Sequence, residues 1–143
     1  MATIDPADKR TSYSQLLGIE FLKVADGRAT AQMTVGPEHL RSQNIAHGGA
    51  LASLMDCAVG AAADSLREPS QTVVTIQLNL HFVRAARPSQ VLSAEGCVQH
   101  AGRRTAVVAG KITDEKDRLI ATATATMMYL DFSYESDEKG KPR

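Results

Sequence analysis

Hydrophobic and polar positions change their period twice along this chain. From residue 19 to 35, "IEFLKVADGRATAQMTV" reads as two strands around Asp26-Gly27, a hairpin-turn dipeptide. In the second strand Ala29, Ala31, Met33 and Val35 alternate with Thr30, Gln32 and Thr34, the period of a half-buried strand. From about Ala46 to Leu66 the spacing becomes helical, with Leu51, Leu54, Met55, Ala58, Val59 and Ala62 on one side. The opposite side is Ala, Gly, Ser and Cys rather than charge, which marks a buried helix packed closely on something broad.

After "EPSQ" the period of two returns. "TVVTIQLNLHFV" puts Val74, Ile76, Leu78, Leu80 and Phe82 on one face, and "QVLSAEGCVQHA", "RRTAVVAGKITDE" and "RLIATATATMMYLDF" follow across short turns. These predict a four-strand antiparallel meander. Ahead of everything, "SYSQLLG" predicts a short helix capped by Ser12 or Ser14 and stopped at Gly18. The expected class is α+β, one long helix against a single sheet. Residues 1–11 are expected to be disordered, 12–132 to form the domain and 133–143 a polar tail.

Composition narrows the function. Sixteen basic residues balance sixteen acidic ones, so no global field recruits nucleic acid or an anionic membrane. Trp is absent, which argues against a base-stacking platform. No run approaches about twenty strongly apolar residues, and "MATIDPADKRTS" carries no secretory core, so a soluble, cytoplasmic protein is expected. Cys57 and Cys97 match no CxxC spacing and read as reduced thiols. His39, His81 and His100 lack the spacing of a metal site, and no metal or redox cofactor is expected.

Two features of the helix carry chemistry. Gly48 and Gly49 open it, where backbone N–H groups lack intrahelical partners and a missing Cβ admits close approach. Such donors suit an anion or a developing oxyanion. The same glycines also serve simply to start a helix near a sheet. Asp56 stands in an apolar run with Ala52, Ser53, Val59 and Gly60 at its helical neighbours, and none of these is cationic. It must meet a pocket, a distant side chain or another subunit, and a carboxylate so placed is a candidate nucleophile or base. Gly48 and Asp56 are eight positions apart, about 12 Å along a helix. One helix cannot present both to one carbon, whereas two antiparallel copies can.

"AHGGALASLMDCAVG", with "VTIQLNLHFVRAA", "LSAEGCVQHAGRRTAVV" and "DRLIATATATMMYL", resembles the hotdog-fold acyl-CoA thioesterases of the PaaI-like, 4-hydroxybenzoyl-CoA thioesterase superfamily. The resemblance spans residues 12 to 132. It implies a helix wrapped by a curved antiparallel sheet of five to six strands, and hydrolysis of acyl-CoA in a homodimer, with pairing into tetramers left open. It implies Gly48 N–H as oxyanion hole shaped by His47, with Asp56 as nucleophile or general base from the neighbouring protomer. Thr75 aligns with a hydroxyl that helps hold the attacking water, and Arg103 and Arg104 with basic contacts to coenzyme A phosphates. Gly49 and Asn44 belong to the same substrate-binding region. Arg41 departs from the Asn or Gln usual six positions before the motif His; an arginine facing Asp56 would either hold it ionised or lock it in a salt bridge and blunt it, and with a loop shift of a few residues Gln43 or Asn44 would take the amide role. Leu51, Leu54 and Met55 are expected to line the acyl pocket. Coenzyme A enters only as part of substrate and product. Competing readings are a non-catalytic acyl-CoA-binding protein and a thioesterase for acyl-carrier-protein substrates.

Overall fold

The computed structural model describes residues 4–131. A 3-10 turn at Pro6–Lys9 precedes helix α1 (Ser12–Leu16), strands β1 (Glu20–Ala25) and β2 (Arg28–Thr34), and the long helix α2 (Gly48–Asp64). Strands β3 (Gln71–Phe82), β4 (Val91–Ala101), β5 (Thr105–Thr113) and β6 (Leu119–Asp131) complete the chain. The β1–β2 hairpin turns on Asp26 and Gly27, both at positive φ as a two-residue turn requires. Helix α1 is capped by Thr11 in a capping box with Ser14, one residue ahead of the expected cap, and Gly18 ends its turn at φ +63°.

The six strands form one antiparallel sheet in the order β1-β2-β4-β5-β6-β3. Only β4, β5 and β6 make the expected meander. Strand β3 pairs with β6 at the far edge, because residues 83–90 carry the chain across the ends of β5 and β6 rather than through a hairpin. That connection is pinned on both sides. Val83 and Arg84 N–H donate to Ile120 O, Ala46 N–H donates to Ala86 O at 2.8 Å, and Ser89 N–H donates to Val35 O. The other long edge of β3 is unpaired among the described residues.

Helix α2 lies across the inner face with Leu54, Met55, Ala58, Val59 and Ala62 fully buried. The sheet approaches it closely at two glycines: a Cβ on Gly96 would stand 2.6 Å from Ala58 O, and one on Gly110 2.5 Å from Met55 Sδ. The helix ends at Ser65, whose Oγ donates to Ala62 O and accepts from Gly27 N–H, tying helix end to hairpin turn.

The segment ahead of α1, expected to be disordered, makes contact with the domain from Ile4 onward. Ile4 N–H donates to Val24 O, and Lys9 pairs with Asp64 of α2. The polar tail at 133–143 lies outside the described residues.

Candidate active site

A β-bulge decides which groups face the helix. Strand β3 pairs Val73 with Tyr129 and Thr75 with Met127, then slips by one residue before Gln77 pairs with Thr126 and Leu78 with Ala125. Tyr129, Met127, Ala125 and Ala123 are all buried on the inner face. Val73 and Thr75 therefore share that face with Leu78, Leu80 and Phe82, although strict alternation would separate them. Val74 and Ile76, expected on one face with Leu78, Leu80 and Phe82, are instead on the opposite face, 40% and 52% exposed.

Thr75 so placed donates its hydroxyl to Asp56 Oδ1 at 2.8 Å. Oδ1 is engaged and Oδ2 is left for other chemistry. Asp56 and Thr75 open onto a cleft of about 240 Å³, shared with Cys57, Gly60 and Val73 and reaching Lys9 and Asp64 one helical stretch further on. Burial, and behind it the Asp56 charge, pushes the neighbouring Cys57 thiol up to about 11.

The other end of α2 is built around His47, the N-cap. Its backbone is extended, and its Nδ1 accepts from Gly49 N–H at 2.8 Å, which places the ring proton of a neutral imidazole on Nε2. Ala50 and Leu51 N–H both turn back to His47 O. Among the described residues Gly48 N–H is thus the one donor of the first turn without an acceptor. It lies in a second cleft, of about 300 Å³, with Arg41, Phe82 and Arg84. A Cβ on Gly48 would meet Phe82 Cζ at 3.4 Å, so the glycine lets the ring lie over the helix start.

His39 buttresses this end. It is buried, its Nδ1 accepts from Gly36 N–H, its Nε2 donates to Leu17 O, and its carbonyl accepts from His47 N–H at 2.7 Å. It is a structural histidine, and neither His81 nor His100 lines either cleft.

The remaining expected site residues separate. Arg41 sits in the Gly48 cleft and not in the Asp56 cleft of the same chain, so no Arg41–Asp56 pair forms within the protomer. Asn44 adopts φ +56° in the tight turn closed by Asn44 N–H to Arg41 O, a left-handed position Asn tolerates, and it lines neither cleft. Arg103 and Arg104 border a third cleft of about 530 Å³ with Gln71 and Asp131. It adjoins the Asp56 cleft across one cross-strand pair: Arg104 O accepts from Tyr129 N–H, and Tyr129 faces Val73. Leu54 and Met55 are wholly in the core and line neither the Asp56 nor the Gly48 cleft; Leu51 lines the Gly48 cleft.

Phe82, Arg84, Phe21 and Lys9 line the clefts without having stood out in the sequence. Arg84, directly beyond the apolar strand, was the one with a visible signal. Among the described residues no cluster of three or more His, Cys, Asp or Glu could hold a metal ion. No described helix is long and apolar enough to cross a membrane.

One long helix held in a six-strand antiparallel sheet of this order is the hotdog fold, and the helix carries both an uncommitted N-terminal amide and a carboxylate. The sequence agrees: it matches the thioesterase superfamily over residues 43–121, and the chain belongs to that family. It is 29% identical over 119 residues to a putative esterase of Archaeoglobus fulgidus, covering 83% of this chain and 75% of that protein. It is likewise 29% identical over 108 residues to the acyl-coenzyme A thioesterase PaaI of Escherichia coli, covering 76% and 75%. Among solved structures, a hypothetical thioesterase of Streptococcus pneumoniae with coenzyme A superimposes with a TM-score of 0.73 at 31% identity, covering 80% of this chain and 88% of that one.

Proposed function

We propose that the protein hydrolyses acyl-CoA to free acid and CoA at sites shared between two protomers. The observation that carries this is the division of the machinery: Gly48 N–H and Asp56 open onto different clefts about 12 Å apart along one helix. Pairing of two β3 edges about a two-fold axis brings the Asp56 cleft of each chain to the Gly48 cleft of the other. That edge is twelve residues long and exposes Val74 and Ile76 on one face and Phe82 on the other, an edge that would pair indiscriminately if left uncovered. Further pairing of dimers into tetramers is compatible with this arrangement.

In the assembled site Gly48 N–H receives the negative charge that grows on the thioester oxygen. His47 holds Gly49 N–H, so that Gly48 alone points at the carbonyl. A water lies between Thr75 Oγ1 and Asp56 Oδ2. Thr75 gives its own proton to Oδ1 and can accept from that water. Asp56 takes the second water proton as oxygen attacks the carbon, and returns it to the departing CoA thiolate. No cofactor takes part beyond the CoA of the substrate. Arg41 and Arg84, beside Gly48, and Arg103 and Arg104 supply cationic contacts for the CoA phosphates. Two unpaired half-buried thiols fit a reducing, cytoplasmic setting.

The test has two arms. A panel of acyl-CoA esters should be hydrolysed by the wild type and far more slowly by Asp56→Asn, which retains ester binding; a wild type inert across the panel rejects the enzyme. Mixing chains carrying Asp56→Asn with chains carrying Gly48→Pro should then restore about a quarter of wild-type activity. Half the random dimers are mixed, and each mixed dimer has one intact site of two. No recovery on mixing rejects the shared site.

A further inference from the structure

The Asp56 cleft has a built far end. Asp64, two turns along α2 from Asp56, accepts from Lys9 at one carboxylate oxygen and from Arg67 Nε, at 2.8 Å, at the other. Lys9 and Asp64 both line the cleft, and their side chains keep 18% and 16% exposure. The walls between the two ends are apolar, Phe21 from β1 and Val73 from β3. The floor is Gly60, one turn beyond Asp56, where an added Cβ would meet nothing within 4 Å.

We propose that the Lys9–Asp64 pair is the end-stop of the acyl pocket and sets the length of acyl chain accepted. This rests on the reading of Asp56 as the reacting carboxylate: with the thioester carbon at Asp56, the acyl group leaves along α2 over Gly60. A chain that follows the apolar walls gains about fourfold in affinity for each methylene it buries. That gain stops at the ion pair. Covering Lys9 with hydrocarbon strips water from an ammonium whose single carboxylate partner is shared with Arg67, and burial of incompletely paired charge is costly. The distance from Asp56 to Asp64, about 12 Å along the helix axis, makes this a pocket for short and medium chains or a single aromatic ring.

The experiment measures binding of a series of S-alkyl-CoA thioethers, from butyl to hexadecyl, by titration calorimetry, so that it does not depend on turnover. Wild type, Lys9→Ala and Gly60→Leu are compared. In Lys9→Ala, Asp64 keeps Arg67, so no carboxylate is orphaned; in Gly60→Leu a better helix former fills open space. Wild-type affinity should rise with length and then level or fall. Lys9→Ala should move that break at least two carbons longer, raising the long-to-short affinity ratio more than tenfold, and Gly60→Leu should move it shorter. Coinciding length profiles for all three proteins, or no dependence on length at all, overturn the end-stop. Shifted profiles in a protein that hydrolyses no acyl-CoA would keep the pocket and reject the catalytic reading alone.

Discussion

Thr75 Oγ1 and Asp56 Oδ1 stand 2.8 Å apart, joining the middle of the long helix to the edge strand of the sheet. The contact exists because the bulge after Thr75 lets that residue and Leu78 share the inner face. It fixes one carboxylate oxygen, and among the described residues no side chain engages the other. Replacing Thr75 by Ala removes a hydrogen bond to a charged group, worth about 1.5–3 kcal/mol, so kcat should fall about ten- to a hundredfold. Thr75→Ser should restore most of it. Asp56→Asn should cost about 10²–10⁴-fold in kcat. Steady-state kinetics on one acyl-CoA ester checks all three, and a Thr75→Ala enzyme with wild-type kcat would remove the hydroxyl from the mechanism.

Gly48 offers a rare way to delete a backbone donor. It is the first helical residue, where proline is well tolerated, and His47 before it is already extended at φ −65° and ψ 138°, as a residue preceding proline must be. Gly48→Pro should therefore fold with α2 intact, shifting the Phe82 ring slightly, and lose about 10²–10³-fold in kcat. Gly48→Ala, which keeps the N–H, is the control. Circular dichroism alongside kinetics separates loss of the donor from loss of the helix.

Much of this site was legible in the sequence, for physical reasons that differ by residue. Asp56 was visible as an acid with no cationic helical neighbour, and the Gly48 to Asp56 spacing implied that one helix could not present both groups to one carbon. The position of β3 was not legible, because eight connecting residues are compatible with either a neighbouring or a distant strand. Nor was the bulge, since inserting one residue leaves the apolar count of "TVVTIQLNLHFV" unchanged while exchanging faces. Leu54 and Met55 were misplaced for a related reason: an apolar residue on a helix looks the same whether it faces a sheet or a ligand. Lys9 was hidden by distance, fifty-five positions from Asp64.

Gly96 under α2 and Gly60 within it should respond oppositely to the same change. Gly96→Ala drives a methyl into the backbone of Ala58 and Val59, so overpacking should cost about 1–3 kcal/mol. Gly60→Ala meets nothing and gains helix propensity, and should stabilise by about 0.5–1 kcal/mol. Urea midpoints with unchanged m-values check both; equal midpoints would mean that α2 does not press on β4 at Gly96.

Asp114 gives the acid limb of stability a specific origin. Burial alone would raise its pKa. The Arg118 side chain, the N–H groups of Arg118 and Lys116, and the guanidinium charge outweigh burial and take it from an ordinary 3.8 down to about 2. A carboxylate depressed in the fold adds stability that is complete above the unfolded value and disappears as pH falls through the folded one. Wild-type stability should therefore decline between about pH 4 and 2, and Asp114→Asn should be less stable at neutral pH with a shallower slope in that window. Urea titrations at pH 2.5, 4 and 7 measure the slope.

Cys57 reports on Asp56 from the alkaline side. Its thiol is held up from an ordinary 9.0 to about 11, first by burial and then by the adjacent carboxylate charge. A group whose folded pKa is raised contributes stability below its unfolded value and loses that contribution as pH rises through the folded one. The protein should lose stability between about pH 9 and 11, and Cys57→Ala should flatten that decline. Since the thiolate is the nucleophile, alkylation of Cys57 by iodoacetamide should be slow at pH 8 and accelerate toward pH 11. Neutralising the neighbour by Asp56→Asn should shift the alkylation profile to lower pH while burial holds part of the elevation. A profile that Asp56→Asn leaves in place would mean that burial alone holds the thiol up.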